Sequence, residues 1–119
     1  MLEPLVAKNI SPIWLITPDM SDERISKVVK QATGMLYCVS RSGVTGQSDT
    51  DTSGLKRYLD RVRAVTSLPL GVGFGINTAS DVQAVSEHAD IVIIGSAFLN
   101  AFNNQGEAGV IDKLDALAL

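Results

Sequence analysis

A parallel α/β fold built from four consecutive βα units is predicted for this chain, and three observations predict it. Short apolar runs alternate four times with stretches of helical periodicity. The runs are continuously apolar, the pattern of strands covered on both faces in a parallel sheet. Glycine-bearing turns follow three of the four runs, where a strand hands over to a helix. Such alternation implies right-handed crossovers between parallel strands. Four units make half of an eight-stranded (β/α)8 barrel, and a four-stranded doubly wound sheet is the topological alternative.

The first unit covers residues 12–34. Ile13 to Ile16 lies between Pro12 and Pro18 and is expected to be a strand. Ser21-Asp22-Glu23 supplies an N-cap and an acidic first turn, and Ile25, Val28, Val29 and Ala32 follow at helical spacing until Gly34 stops the helix. In the second unit, 35–66, the strand is Met35 to Val39. The polar loop Ser40 to Thr52 is long for a βα connection, and Ser53 caps a helix whose apolar face is Leu55, Tyr58, Leu59, Val62 and Val65. The third unit, 69–88, places a strand at Pro69 to Val72 and a helix capped by Thr78, with Ala79, Val82 and Val85 on one face. The fourth, 90–118, has a strand at Ile91 to Ile94 and a short helix from Gly95-Ser96 to about Asn103. A last amphipathic helix carries Val110, Ile111, Leu114 and Leu117.

Composition narrows the class. At 119 residues the chain holds one small domain, whereas a whole (β/α)8 barrel needs roughly 200–250. A hydrophobic fraction of 45% and a mean hydropathy of +0.19 imply a large core or an apolar face that needs a partner. A net charge of −3 argues against nucleic acid. Trp14, Tyr37 and Tyr58 are expected in core or pocket, not on a base-stacking platform. One cysteine, Cys38, excludes an internal disulfide framework, and its apolar run makes it a buried small residue. One histidine and one cysteine leave no metal cluster, and His88 is expected as a surface or capping residue at a helix end. No apolar segment is long enough to cross a membrane, and the first eight residues carry no secretory pattern. A soluble cytoplasmic protein is expected.

Chemistry is expected at the strand ends. The turns Gly43-Val44-Thr45-Gly46, Gly73-Phe74-Gly75 and Gly95-Ser96 converge on one end of a parallel sheet. Glycines there let a ligand approach backbone N–H groups, and a helix opening after Gly95-Ser96 adds its N-terminal dipole. In barrels a phosphate commonly sits after the last two strands beside a short extra helix, so a phosphate monoester is the expected ligand. Gly71-x-Gly73-x-Gly75 has the wrong spacing for a dinucleotide fingerprint. The loop Ser40 to Gly46 suits a lid over substrate.

That loop, Ser40-Arg41-Ser42-Gly43-Val44-Thr45-Gly46, resembles the mobile active-site loop of the tryptophan synthase alpha subunit. Pro12 to Pro18 resembles the fifth strand of that family, Gly73-Phe74-Gly75-Ile76 the end of its seventh, and Ile94-Gly95-Ser96-Ala97 the end of its eighth. The resemblance implies a (βα)4 half of a TIM (β/α)8 barrel, and a lyase that releases indole from indole-3-glycerol phosphate in tryptophan biosynthesis. It implies that Gly46, Gly75, Gly95 and Ser96 hold the phosphate, with Phe74 flanking phosphate and indole. Leu15 would form part of the indole wall and Tyr37 would line the reaction centre. Thr45 would steady a catalytic aspartate on lid closure, and Arg41 belongs to that lid. It implies no cofactor in this chain, pyridoxal phosphate being carried by a beta-subunit partner. The two catalytic carboxylates of the family, on and just after the second strand, have no counterpart in these residues. Asp19, Asp49, Asp51 and Glu107 are possible substitutes in principle, and Asp49 and Asp51, in the lid, read as solvated loop charges. Two functions follow: the phosphate-binding and lid portion of a lyase, inactive alone, or a non-catalytic phosphate-binding half-barrel. Self-association or a complementary half-barrel is expected to cover the inner sheet face and the two open strand edges.

Overall fold

The computed structural model describes Pro4 and residues 7–40, 53–73 and 75–117. Its strands are β1 (Trp14–Ile16), β2 (Leu36–Val39), β3 (Leu70–Gly73) and β4 (Ile91–Ile93), and its helices are α1 (Asp22–Gln31), α2 (Ser53–Arg63), α3 (Ala79–Ser86) and α4 (Ser96–Leu117). All neighbouring strands pair in parallel, in the order β1-β2-β3-β4, so the expected alternation holds and the strand order is that of barrel staves. A doubly wound sheet would reverse its order at a switch point.

The register sorts the side chains into two faces. Trp14, Ile16, Leu36, Cys38, Leu70, Val72 and Val92 share one face, and Ile16, Leu36, Cys38, Leu70 and Val72 are fully buried there. Helices cover that face with Ile25 and Val28 from α1, with Leu55, Tyr58, Leu59 and Val62 from α2, and with Val82 and Val85 from α3. The other face carries Leu15, Tyr37, Val39, Ile91 and Ile93 around Gly71 and Gly73. Among the described residues no helix packs over it, and Leu15 is 53% and Ile91 38% exposed. The uninterrupted apolar runs are therefore those of a sheet built for two covered faces, of which these residues cover one.

Helix ends follow local chemistry. Ser21 Oγ accepts from Arg24 N at 3.2 Å, capping α1. Thr78 and Asp81 form a reciprocal capping box on α3, the arrangement that satisfies two orphan donors at once. Two expectations are corrected. Helix α1 ends at Gln31, before Gly34, because Ala32 is already extended (ψ 142°), and Gly34 with φ 85° serves the following turn. The short and last helices of the fourth unit are two helices, as expected, separated within the α4 range by Gly106, whose non-helical φ of 64° and ψ of −149° only glycine adopts readily; the first runs past the expected end at Asn103. Leu117 of that stretch is buried, but Ile111 and Leu114 are 54% and 59% exposed rather than packed.

Polar contacts tie the layers together. Tyr58 Oη donates to Ile16 O at 2.8 Å, fastening α2 to the end of β1. Arg61 bonds Asp22 Oδ1 and the carbonyls of Pro18 and Met20, clamping the β1–α1 loop. Asp90 accepts from Leu70 N at 2.9 Å and from Arg63 at 3.1 Å, locking the starts of β3 and β4 together. Trp14 Nε1 is buried without an acceptor, on the edge strand of the sheet.

Candidate functional site

The strand C-termini open onto a cleft of about 390 Å³, lined by Tyr37, Gly75, Ile76, Ile93, Ile94, Gly95 and Ser96. Four residues singled out in the sequence thus meet in one place: Tyr37 from β2, Gly75 after β3, and Gly95 and Ser96 after β4. Leu15 lies on the same sheet face, in register with Tyr37, but does not line the cleft. Arg41, Thr45, Gly46 and Phe74, with the rest of the proposed lid and the loop carboxylates Asp49 and Asp51, fall outside the described residues. Asp19 is exposed.

Each lining residue has a local cause. Gly95 is the N-cap of α4: its carbonyl accepts from Phe98 N at 3.0 Å and Leu99 N at 3.1 Å. The first N–H groups of α4, at Ser96 and Ala97, therefore lie at the helix positions that lack carbonyl partners. A Cβ built on Gly95 would meet nothing within 4 Å, so protein packing does not require glycine there. The empty space in front of that backbone is the space a ligand would occupy. Gly75 is different, since its φ of 71° itself favours glycine.

Tyr37 is held by a second glycine. A Cβ on Gly73 would lie 2.5 Å from Tyr37 Oη and 3.0 Å from its Cζ, so the ring rests across β3 in the space glycine leaves. Gly71 serves Met35 and Ile93 likewise, with 2.6 Å and 2.9 Å to their terminal carbons. Ser40 fixes the end of β2: its N and its Oγ each lie 3.2 Å from Gly73 O, to which both donate.

Among the described residues no charged side chain lines the cleft. Attraction for an anion would come from backbone N–H groups and the α4 dipole, worth about 0.3–1 kcal/mol in exposed settings and up to about 2 when partly buried. Among the described residues no three His, Cys, Asp or Glu side chains come together as metal ligands. Cys38 is buried beneath the sheet, and burial pushes its thiol up to about 11, which leaves it protonated and unreactive at neutral pH. Burial likewise raises Tyr58 above the ordinary phenol value, keeping its hydroxyl a donor.

Ile76, Ile93 and Ile94 line the cleft although they were not among the predicted site residues. Their signal was present as apolar residues at the ends of the third and fourth runs, but apolarity alone does not separate a pocket wall from core. A second groove of about 480 Å³ runs between the start of α3 and α4, past Asn77, Asn100, Asn104 and Asp112. It shares no residue with the predicted site.

With that geometry described, comparison with known proteins is specific. The sequence profile described as tryptophan synthase alpha chain matches residues 1–118. A tryptophan synthase alpha chain from Desulforapulum autotrophicum is 39% identical over 117 residues, covering 98% of this chain and 46% of the relative. One from Acinetobacter baumannii is 42% identical over 94 residues, 79% of this chain and 35% of the relative. Among solved structures, the tryptophan synthase alpha subunit of Campylobacter jejuni superposes with a TM-score of 0.86 at 28% identity, over 98% of this chain and 47% of that one. Tryptophan synthase from M. tuberculosis in its aminoacrylate-bound form gives 0.81 at 25% identity, over 98% of this chain and 42% of that one. The chain therefore spans less than half the length of the relatives it matches, and its four parallel strands and helices correspond to half of their TIM barrel.

Proposed function

The chain belongs to the tryptophan synthase alpha chain family, and from that premise we propose that its strand ends hold the phosphate of indole-3-glycerol phosphate. One observation carries this reading: Gly75, Gly95 and Ser96 converge with Tyr37 on a single uncharged cleft at the N-terminus of α4. Backbone donors there would receive the phosphate oxygens, with Ser96 Oγ within the same wall. Tyr37 and Ile93 would face the rest of the substrate, and Leu15, farther across the sheet, the indole ring. Gly46, Phe74, Arg41 and Thr45 belong to the same proposal through the loop motif.

The reaction proposed is a retro-aldol cleavage in tryptophan biosynthesis. The bond between the indole ring and the glycerol phosphate chain breaks, one proton reaches the indole carbon, and one leaves the adjoining hydroxyl. Such a step needs a general acid and a general base. Among the described residues no carboxylate lines the cleft, so the proposal leaves both groups to residues other than these. A beta subunit carrying pyridoxal phosphate is the proposed recipient of the indole, in the cytoplasm. Alternatively the chain binds phosphate esters without turnover, a reading consistent with the uncharged lining that the described residues give the cleft.

A reconstitution test separates the two. This chain is mixed with a separately expressed segment carrying the remaining strands of a relative, and indole release is followed. Indole formed only by the mixture is the expected result. A soluble, assembled complex that releases none would overturn the lyase reading and leave the binding reading standing.

A further inference from the structure

We propose that Ser40 is a positioning residue for the phosphate turn: its buried hydroxyl fixes the Gly73 carbonyl and so sets the direction in which the chain leaves β3 for Gly75. The inference rests on the phosphate reading of the cleft and adds to it a residue outside the cleft wall. Ser40 stands two residues beyond Cys38, and strand alternation puts Leu36, Cys38 and Ser40 on the helix-covered face. All three are buried, at 0%, 0% and 4% exposure. Such a column favours apolar side chains, and a hydroxyl within it costs stability unless it is bonded. Among the described residues Ser40 is the one buried serine, threonine, amide or charged residue.

The bond it makes is an additional one. Ser40 N already donates to Gly73 O at 3.2 Å, continuing the ladder between β2 and β3. Ser40 Oγ donates to the same oxygen, also at 3.2 Å. A carbonyl oxygen offers two lone pairs, and one bond would already satisfy it, so the second acts on orientation. A single donor lets the carbonyl tilt about it, whereas two donors from different directions hold its plane. Two residues on, Gly75 lines the cleft with a φ of 71°. The far side of this turn is held as well: Ile76 is 4% exposed, and Asn77 N and Thr78 N both donate to Asp81 Oδ2 at 3.0 Å. Gly75 therefore hangs between two fixed ends. Glycine loses more conformational freedom on ordering than any other residue, so a backbone donor at Gly75 binds best when its ordering is already complete. Ser40 supplies that order from the β3 side.

Titration with inorganic phosphate, followed at the amides of Gly75, Gly95 and Ser96, tests the proposal in the unmodified chain, Ser40→Ala, Ser40→Thr and Val85→Ala. Ser40→Ala should bind phosphate about three- to tenfold more weakly, the factor that one net hydrogen bond represents, and its Gly75 amide should exchange faster before phosphate is added. Ser40→Thr keeps the hydroxyl and should restore both. Val85, 1% exposed near the far end of α3, controls for a merely structural effect: Val85→Ala should lower stability yet leave phosphate affinity and Gly75 exchange unchanged. Equal loss of affinity in Val85→Ala and Ser40→Ala would overturn the proposal. So would a Ser40 hydroxyl proton that exchanges as fast as a solvated one, a measurement that needs no variant and decides even if Ser40→Ala does not fold. If the unmodified chain shows no phosphate-dependent shifts, the phosphate reading fails and the role of Ser40 fails with it. If the unmodified chain binds and Ser40→Ala binds equally well, the role of Ser40 fails alone.

Discussion

Gly73→Ala offers a direct probe of how the cleft is shaped. The new methyl would sit 2.5 Å from Tyr37 Oη, 3.0 Å from its Cζ and 3.1 Å from Ile93 Cβ. Carbon contacts are optimal near 3.5–4.0 Å, so the tyrosine ring must retreat by about 1 Å or rotate away. Insertion of a methyl into a packed site costs about 1–3 kcal/mol. Tyr37 is only half-buried on the uncovered face and can turn outward, which places the expected cost near the lower end, about 1–2 kcal/mol. No positive φ is involved at Gly73, so the steric term stands nearly alone. In a Tyr37→Ala background the clash is gone, and the alanine, favoured over glycine in a strand by about 0.5–1 kcal/mol, should be neutral or stabilising. Urea denaturation of the four members of this cycle, at one protein concentration, should give a coupling energy of about 1–2 kcal/mol. Equal costs of Gly73→Ala in both backgrounds would refute the account of why glycine occupies that position.

Three further outcomes are expected. Tyr58→Phe deletes the 2.8 Å bond to Ile16 O and strands a buried carbonyl, which should cost about 1–3 kcal/mol in urea unfolding; a change under 0.5 kcal/mol would contradict this. Thr78→Ala breaks the capping box of α3 and should cost about 0.5–2 kcal/mol, read as loss of thermal stability without loss of sheet signal. The Leu70 amide, and then Arg63, hold Asp90 below its usual carboxylate value of 3.8. Its contribution to stability is therefore present above that value and lost as pH falls through the lower, folded one. Asp90→Asn should flatten this acid limb of a melting-temperature profile; parallel limbs would contradict it. Because the pair is solvent-exposed the effect should also shrink with added salt.

The alternation of elements was legible because each unit carries its own punctuation. Pro12 and Pro18 bracket β1, Ser21 and Thr78 cap α1 and α3, and continuous apolar runs become strands. Convergence of Gly75, Gly95 and Ser96 was legible because parallel topology puts all strand C-termini at one end. The stop of α1 was misplaced because Gly34 is the obvious breaker, while Ala32 leaves the helix for reasons no single residue announces. The division of α4 into two helices was legible, and Gly106, with its non-helical φ and ψ, is the residue that divides them. Tyr37 lying over Gly73 depends on cross-strand register, which periodicity does not encode. Apolar runs likewise do not say which sheet face the neighbouring elements cover, and Leu15 and Ile91 are exposed on the face that the described helices leave open.

The central claim is that the turns after β3 and β4 form an anion site made of backbone. Titration of the ¹⁵N-labelled chain with inorganic phosphate, followed by amide chemical shifts, tests it most directly. The account predicts saturable shifts at Gly75, Gly95 and Ser96, with none at the amides of Asn100 and Asn104 in the neighbouring groove. Shifts spread evenly over the protein, or no saturation at the cleft, would contradict it.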